Sequence, residues 1–439
     1  MARSSSNDRP RSSRLAGGAC RRQRGAALLL FAMLMMIGVI GFLISSLAGV
    51  PRASIVSEAT TRSALKQAKE AVIARAVLDT PPGRMPCPED TSKIGGALEG
   101  DALGSCSNSS ILIGRLPWRT LKLEKLTDGY GEPLWYALSP GFRNAPINSD
   151  TPGQLLLDDQ SDIVALIIAP GPALSGQPRT APTSTTPPAA ADYLDLSNKD
   201  GNPKFVSTGD SSSFNDRVIV ITRAELMAPV ERRVAREVRN ALLDHFCDID
   251  SSNVNYASGT CIAAGPGVRA FAAPAAINDT SCFGNTTISS GCASDGAPAA
   301  PPSPLFGRIP ANPTTPWEPS ASTILRGQTG GSPANWFQQN KWRELVFYAV
   351  SQKCIDGTTN CTGTGNEPLL HRPSSADQSV HVAIIVSGNA LAGQSRSNDT
   401  ERSTRSNYLE AGNAAGNTDF YVQSKSATFN DTIESLRLP

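Results

Sequence analysis

RRQRGAALLLFAMLMMIGVIGFLISSLAGV, residues 21–50, sets how the rest of the chain is read. Arg21, Arg22 and Arg24 lead into Gly25, and from Ala26 to Gly49 no residue is charged. These 24 mostly apolar residues exceed the roughly 20 that carry a helix across a bilayer. The stretch predicts a basic leader over 1–25 and a transmembrane helix over 26–49.

Charge agrees with that topology. Residues 1–25 hold seven arginines and one acid, Asp8; this net +6 stands against +1 for the whole chain, so the remainder carries −5. Basic charge confined to a short tail beside an apolar span is the positive-inside pattern, which predicts a cytoplasmic N-terminus and an exported bulk. It is not the profile of a nucleic-acid binder, and no nucleic-acid partner is predicted. Abundant Gly and Pro (37 and 33 residues) with 18% charged residues point to loop-rich, strand-containing structure.

The cysteines fall on the two sides unequally. Cys20 is in the leader; Cys87, Cys106, Cys247, Cys261, Cys282, Cys292, Cys354 and Cys361 follow the span. An even number beyond a membrane fits an oxidising compartment and disulfides. Pairing sequence neighbours is simplest: 87–106, 247–261, 282–292 and 354–361. No C-x-x-C occurs, and His245, His371 and His381 stand at no ligand spacing with cysteines, so neither a metal nor a cofactor is predicted.

Working outward, apolar residues recur at helical spacing from Ile55 to Val77, predicting a helix over about 53–78 that ends at Pro81-Pro82. A second amphipathic helix is predicted from Pro229 to Phe246, with Pro in its first turn. Strands are predicted at Leu134–Leu138, at 162–169 and at Val218–Ile221. Residues 297–319 read as a Pro-rich loop.

Several segments recur. Leu134–Ser139 matches Val346–Ser351, residues 164–179 match 382–396, Asp192–Asp195 matches Asn407–Glu410, and Phe214–Asp216 matches Phe429–Asp431. The order is preserved and the offsets stay within a few residues, as loop insertions would leave them. Gln177 and Gln394 fall in matched turns, where either ligand binding or turn geometry explains them.

The leader resembles the class III signal of type IV pilins and type II secretion pseudopilins: a basic stretch ending in Gly directly before an apolar helix. The resemblance implies cleavage between Gly25 and Ala26 by a prepilin peptidase. The chain has Ala26 where the family usually has Phe and Leu30 where it usually has Glu. In that family the Glu carboxylate pairs with a neighbouring subunit's N-terminal amine. A chain without it resembles the tip and minor subunits more than the shaft subunits. The motifs that follow are similar to those of pilin-like proteins. Arg84-Met85-Pro86-Cys87-Pro88 stands for R-L-P-C-P, and Leu116-Pro117-Trp118 with Leu121 and Leu123 for L-P-W-x-x-L-x-L. Asp128, Gly131, Leu134 and Tyr136 stand for D-x-x-G-x-x-L-x-Y. The resemblance covers about residues 20–140, and the roles it implies for Pro117, Trp118, Gly131 and Tyr136 are structural.

No nucleophile elbow, H-E-x-x-H, Walker loop or dinucleotide fingerprint occurs. The expected fold is α+β: an N-terminal transmembrane helix extended into a pilin-like head, with two similar helix-plus-antiparallel-sheet units in tandem over 50–224 and 225–439. The expected function is a non-enzymatic minor-pilin or pseudopilin-like subunit of the bacterial inner membrane, with a periplasmic head. Its partners would be other pilin subunits and a prepilin peptidase. The alternative is an uncleaved single-pass protein carrying a periplasmic binding module; whether Gly25 is cut separates the two.

Overall fold

The computed structural model describes residues 52–106, 111–247, 271–283, 292, 305–311, 324–325, 335–355, 367–415 and 419–437, with Met33, Met35, Met36 and Val39. Packing divides the chain into two compact units, Met1–Glu58 and Ala59–Pro439. In the first unit the four isolated residues are helical and exposed, as are Ile55 and Val56 at the start of helix α1 (Arg52–Leu78). Everything below concerns the second unit, apart from the helix they share.

The expectation of a transmembrane helix extended into a pilin-like head is corrected. Among the described residues no helix is long and apolar enough to cross a membrane. Most of 26–49 lies outside the described residues, and α1 carries charges along its whole length, from Arg52 to Arg75. Its periodicity is that of a helix lying on a core. Ala64, Leu65, Ala68, Val72 and Ala76 are buried, while Lys66 and Glu70 form an i,i+4 pair on the open face.

Helix α2 (Arg223–Cys247) starts six residues before the expected Pro229. The reason is a capping box. Thr222 Oγ1 accepts the Glu225 amide at 3.2 Å, and Glu225 Oε2 accepts the Thr222 amide at 2.9 Å. The two long helices run in the same direction. Lys69 Nζ reaches Glu225 at 2.6 Å, and eight residues further along each helix Arg233 donates to the carbonyls of Val77 and Asp79.

The first sheet contains β1 (Leu112–Arg115), β2 (Trp135–Leu138), β3 (Leu155–Leu157), β4 (Gln160–Ala169), β5 (Lys204–Phe205) and β6 (Arg217–Thr222). Its order is β1-β2-β4-β3-β5, with β6 on the free side of β4. β2 alternates between two cores. Tyr136 and Leu138 face the helices, whereas Trp135 and Ala137 join Leu155, Ile163, Tyr193 and Phe205 on the other face.

The second half contributes β7 (Leu305–Arg308), β8 (Val346–Val350), β9 (Leu369–Arg372), β10 (Ser375–Ser379), β11 (Val382–Val386), β12 (Asp419–Tyr421) and β13 (Thr432–Leu436). These form two sheets, β13-β11-β8-β7 and β10-β9-β12. The path β1-β2-β4-β6 and the path β7-β8-β11-β13 have the same order. Their register also agrees: Tyr136 faces Gly114 and Ile167, and Tyr348 faces Gly307 and Ile384.

Tandem units of helix plus antiparallel sheet are nevertheless not what is built. β3 pairs with β5, and β9 with β12, in parallel. The helices are not shared out one to a unit either. α2 packs on β4 and β6 and also on β11 and β13, so strands from both halves close over one helix and one core. β7 lies inside the stretch expected to be a Pro-rich loop. Its Gly307 admits a close crossing, since an added Cβ would fall 2.2 Å from the Ala275 carbonyl oxygen.

Candidate functional site

The most elaborate polar cluster occurs twice, once in each half. In the first half, Asp195 follows a short 3-10 turn and Asp216 immediately precedes β6. The Asp195 amide donates to Asp216 Oδ2 at 3.0 Å, and Asn198 Nδ2 donates to the same oxygen at 2.9 Å. Asp195 in turn accepts the Asn215 amide at 2.7 Å and the Gln177 side chain at 2.9 Å. In the second half Glu410, Asp431, Asn413, Asn430 and Gln394 make the same bonds. Residues on this path adopt the same unusual backbone, with φ of 45° at Leu196 and 48° at Ala411. An arginine closes each cluster. Arg179 lies over the Tyr193 ring and donates to the Gly171 carbonyl at 2.6 Å, and Arg396 lies over Tyr408 and donates to Gly388 at 3.0 Å.

Burial dominates the electrostatics here. Asp216 is fully buried, and burial pushes its carboxyl up to about 7. Burial raises Asp431 in the same direction, with the adjacent Glu410 charge adding to it. Each carboxyl keeps one oxygen, Oδ1, without a hydrogen-bond partner. A carboxyl protonated on that oxygen needs no counter-cation. These clusters pin turns to strands. Gln177 and Gln394 belong to them, each accepting an amide three residues back (Leu174 and Leu391) at 2.9 Å, so turn geometry accounts for both.

A second set of contacts joins the halves. Glu231, on α2 and 2% exposed, accepts from Ser149 Oγ at 2.8 Å and from Lys425 and Thr432. Burial raises its carboxyl and the Lys425 ammonium opposes the rise. Asn340 and Asn148 link the halves again: Asn340 Oδ1 accepts the Ile147 amide at 2.6 Å, and Asn148 Nδ2 donates to the Asn340 carbonyl at 2.7 Å. Beside this seam lies a cleft of about 300 Å³ whose charged lining is Asp150, Lys341, Glu344, Arg396 and Arg402. Asp150 pairs with Arg396 at 2.8 Å and Glu344 with Arg402 at 3.3 Å. Lys341 has no carboxylate partner among the described residues, and its backbone is held at φ 58°. The cleft can therefore offer the Lys341 ammonium to an anionic group.

The three histidines occupy different settings. His245 is wholly buried near the end of α2, with its ring 6.3 Å from Phe271. Burial lowers His381, and Glu367 at 3.7 Å opposes it. His371 holds a carboxylate on each ring nitrogen, Asp377 at 2.8 Å and Asp419 at 3.0 Å. Neither nitrogen is left to accept a proton from a serine, so a Ser-His-Asp arrangement cannot be drawn through it.

The cysteines expected to pair do so where they can be followed. Cys87–Cys106 and Cys282–Cys292 are disulfides. Cys354 is also disulfide-bonded, Cys247 is the last residue of α2, and Cys261 and Cys361 lie outside the described residues. Gly25 and Ala26 lie outside them too. Tyr136 is fully buried and Pro117 is buried, while the Trp118 ring rests on Gly100. Gly131 takes φ 87° in the turn that Asp128 organises, whose carboxylate accepts the amides of Tyr130, Glu132 and Gly171.

The buried acids and Glu231 were not singled out from the sequence. A signal did exist for the former, because the matched segments contain Asp195 and Asp216 against Glu410 and Asp431. The chain matches no protein-family model, no curated protein and no solved structure.

Proposed function

We propose that this chain is a non-enzymatic assembly subunit of the minor-pilin or pseudopilin kind, exported and held at the bacterial inner membrane. It works by association with other subunits of that kind. The observation that carries the reading is where the motif residues go. Asp128, Pro117, Trp118 and Tyr136, which bear the resemblance, hold turns and fill core, and none lines the cleft at the seam or the one beside His371. The disulfides add support, since they fit an oxidising compartment. His371 has a carboxylate on each ring nitrogen, and Asp216 and Asp431 each accept a backbone amide. The bulk beyond residue 58 suits a low-copy or tip position better than a repeated shaft position.

The test is the N-terminal mass of the membrane-extracted chain from cells with and without a prepilin peptidase. A peptidase-dependent start at Ala26 is the expected result. An intact leader in both strains overturns the reading. The second reading, a periplasmic binding module on an uncleaved anchor, is favoured by the cleft at the seam with its unpaired Lys341. An intact leader together with saturable binding of an anionic peptide, lost in Lys341→Ala, would select it.

A further inference from the structure

Around one matched position the two halves diverge. Register sets Leu157 against Phe205 and Leu370 against Phe420. The residues after those phenylalanines, Val206 and Tyr421, make the same bond to Asn198 and Asn413. The residue that follows the leucine is Asp158 in one half and His371 in the other. Asp158 sits in a two-residue turn and accepts the Ser207 amide at 3.2 Å. His371 lies instead in a longer hairpin, whose second strand, β10, is exposed and joined to β9 through an irregular register between Ser375 and Gln378.

The ring bridges three strands. From β9, Nδ1 reaches Asp377 on β10 and Nε2 reaches Asp419 on β12, with the Tyr421 ring stacked at 4.7 Å and 21°. Asp377 and Asp419 are the charged groups that act on the ring, and Arg372 is its neighbour on β9. The two ring nitrogens point away from each other, so one metal ion cannot be shared between them. What satisfies both carboxylates together is a ring carrying a proton on each nitrogen.

We propose that His371 is a proton-operated latch on the β9–β10 hairpin: doubly protonated it ties the edge strand β10 to β12, and on losing one proton it loosens β10 at that edge. A neutral imidazole has a single N–H, so its second nitrogen turns a lone pair on a carboxylate oxygen. The arm that lets go is Asp377, because its side chain is 52% exposed and water rehydrates it, whereas Asp419 is 29% exposed. A cleft of about 550 Å³, lined by His371, Arg372, Pro373, Tyr421, Gln423 and Ser424 among others, adjoins the ring. The bond to Asp419 is the largest influence and raises the ring's proton affinity; burial, next in size, opposes it, and the bond and charge of Asp377 add to the rise. A group bound more tightly when folded is closed on the acid side and opens as pH rises through its folded value. The first half has no counterpart, because Asp158 ties its turn as a plain carboxylate.

The test is hydrogen exchange of the full-length chain in detergent, corrected for intrinsic rates, from about pH 5 to about pH 9. In the wild type, protection of residues 375–379 falls about tenfold as pH rises through the His371 titration. In His371→Gln and in Asp377→Asn it is low and independent of pH, while β11 and β13 keep their protection and show that the variants fold. A wild-type profile that coincides with that of His371→Gln overturns the latch. If the variants do not fold, NMR titration of the wild-type imidazole decides: a value at or below that of a free histidine overturns it, and a value above it supports it.

Discussion

The Nδ2 of Asn198 donates to Oδ2 of Asp216 at 2.9 Å, and the same bond at the same length joins Asn413 to Asp431 in the other half. The carboxyl that receives it is buried in both places. Each half thus depends on an acid that folding keeps protonated well above its solution range.

That dependence has a sign. Asp216 holds its proton to about 7 when folded and releases it near the ordinary aspartate value of 3.8 when unfolded. The folded chain therefore binds more protons between those values, and stability falls as pH rises through them. Asp431 acts in the same direction. Urea denaturation should show a higher midpoint near about pH 5 than near about pH 8, and Asp216→Asn should flatten part of that slope. A wild-type midpoint that rises with pH across this window would contradict the account.

Glu231 should matter more than its cation. Removing it strips Ser149, Lys425 and Thr432 of an acceptor at the seam between the halves. Glu231→Ala should cost roughly 3 kcal/mol, because a partner of a buried pair is left uncompensated. Lys425 is 30% exposed at its side chain, so Lys425→Met should cost less. A double-mutant cycle in urea measures the coupling, and equal costs for the two single variants would contradict this order.

Two glycines with nearly the same backbone separate strain from collision. Gly100 has φ 88° and Gly131 φ 87°. An added Cβ at Gly100 would fall 2.2 Å from Trp118 Cε2, and at Gly131 it meets nothing within 4 Å. Gly131→Ala should cost about 1 kcal/mol from backbone conformation alone. Gly100→Ala should cost at least about 2 kcal/mol and shift tryptophan emission, since the Trp118 ring must move.

Thr222→Ala should remove the Oγ1 acceptor of the α2 capping box and cost about 1 kcal/mol. Thr222→Ser keeps the acceptor and should recover most of the loss. If Thr222→Ser is as unstable as Thr222→Ala, the methyl group rather than the cap holds this turn.

What could be read beforehand followed from local pattern. The spacing of Leu65, Ala68, Val72 and Ala76 announced α1, the apolar runs announced β2, β4 and β6, and cysteine proximity announced two disulfides. What escaped is set by distant partners. Leu305–Arg308 pairs with β8 across about forty residues, so its Pro-rich surroundings masked it. β5 and β12 are two and three residues long, too short for alternation to speak. Glu231 sits in Val-Glu-Arg-Arg, which reads as an outward face until packing from both halves buries it. Asp195 and Asp216 lie among Ser, Asn and Gly, where an acid ordinarily signals an exposed turn. Pro229 was a strong start signal that hid the weaker Thr222–Glu225 box.

The sharing of α2 also bears on timing. Its apolar stripe packs on β4 and β6, which precede it, and on β11 and β13, and β13 ends at Leu436. A nascent chain can lay α2 on the first sheet soon after residue 247 emerges. The face that packs on β11 and β13 then stays bare for nearly two hundred residues more. This makes the last strand the closing step. A truncation just short of β13 would release a chain with an exposed greasy helix, suited to capture by chaperones or proteases rather than to assembly.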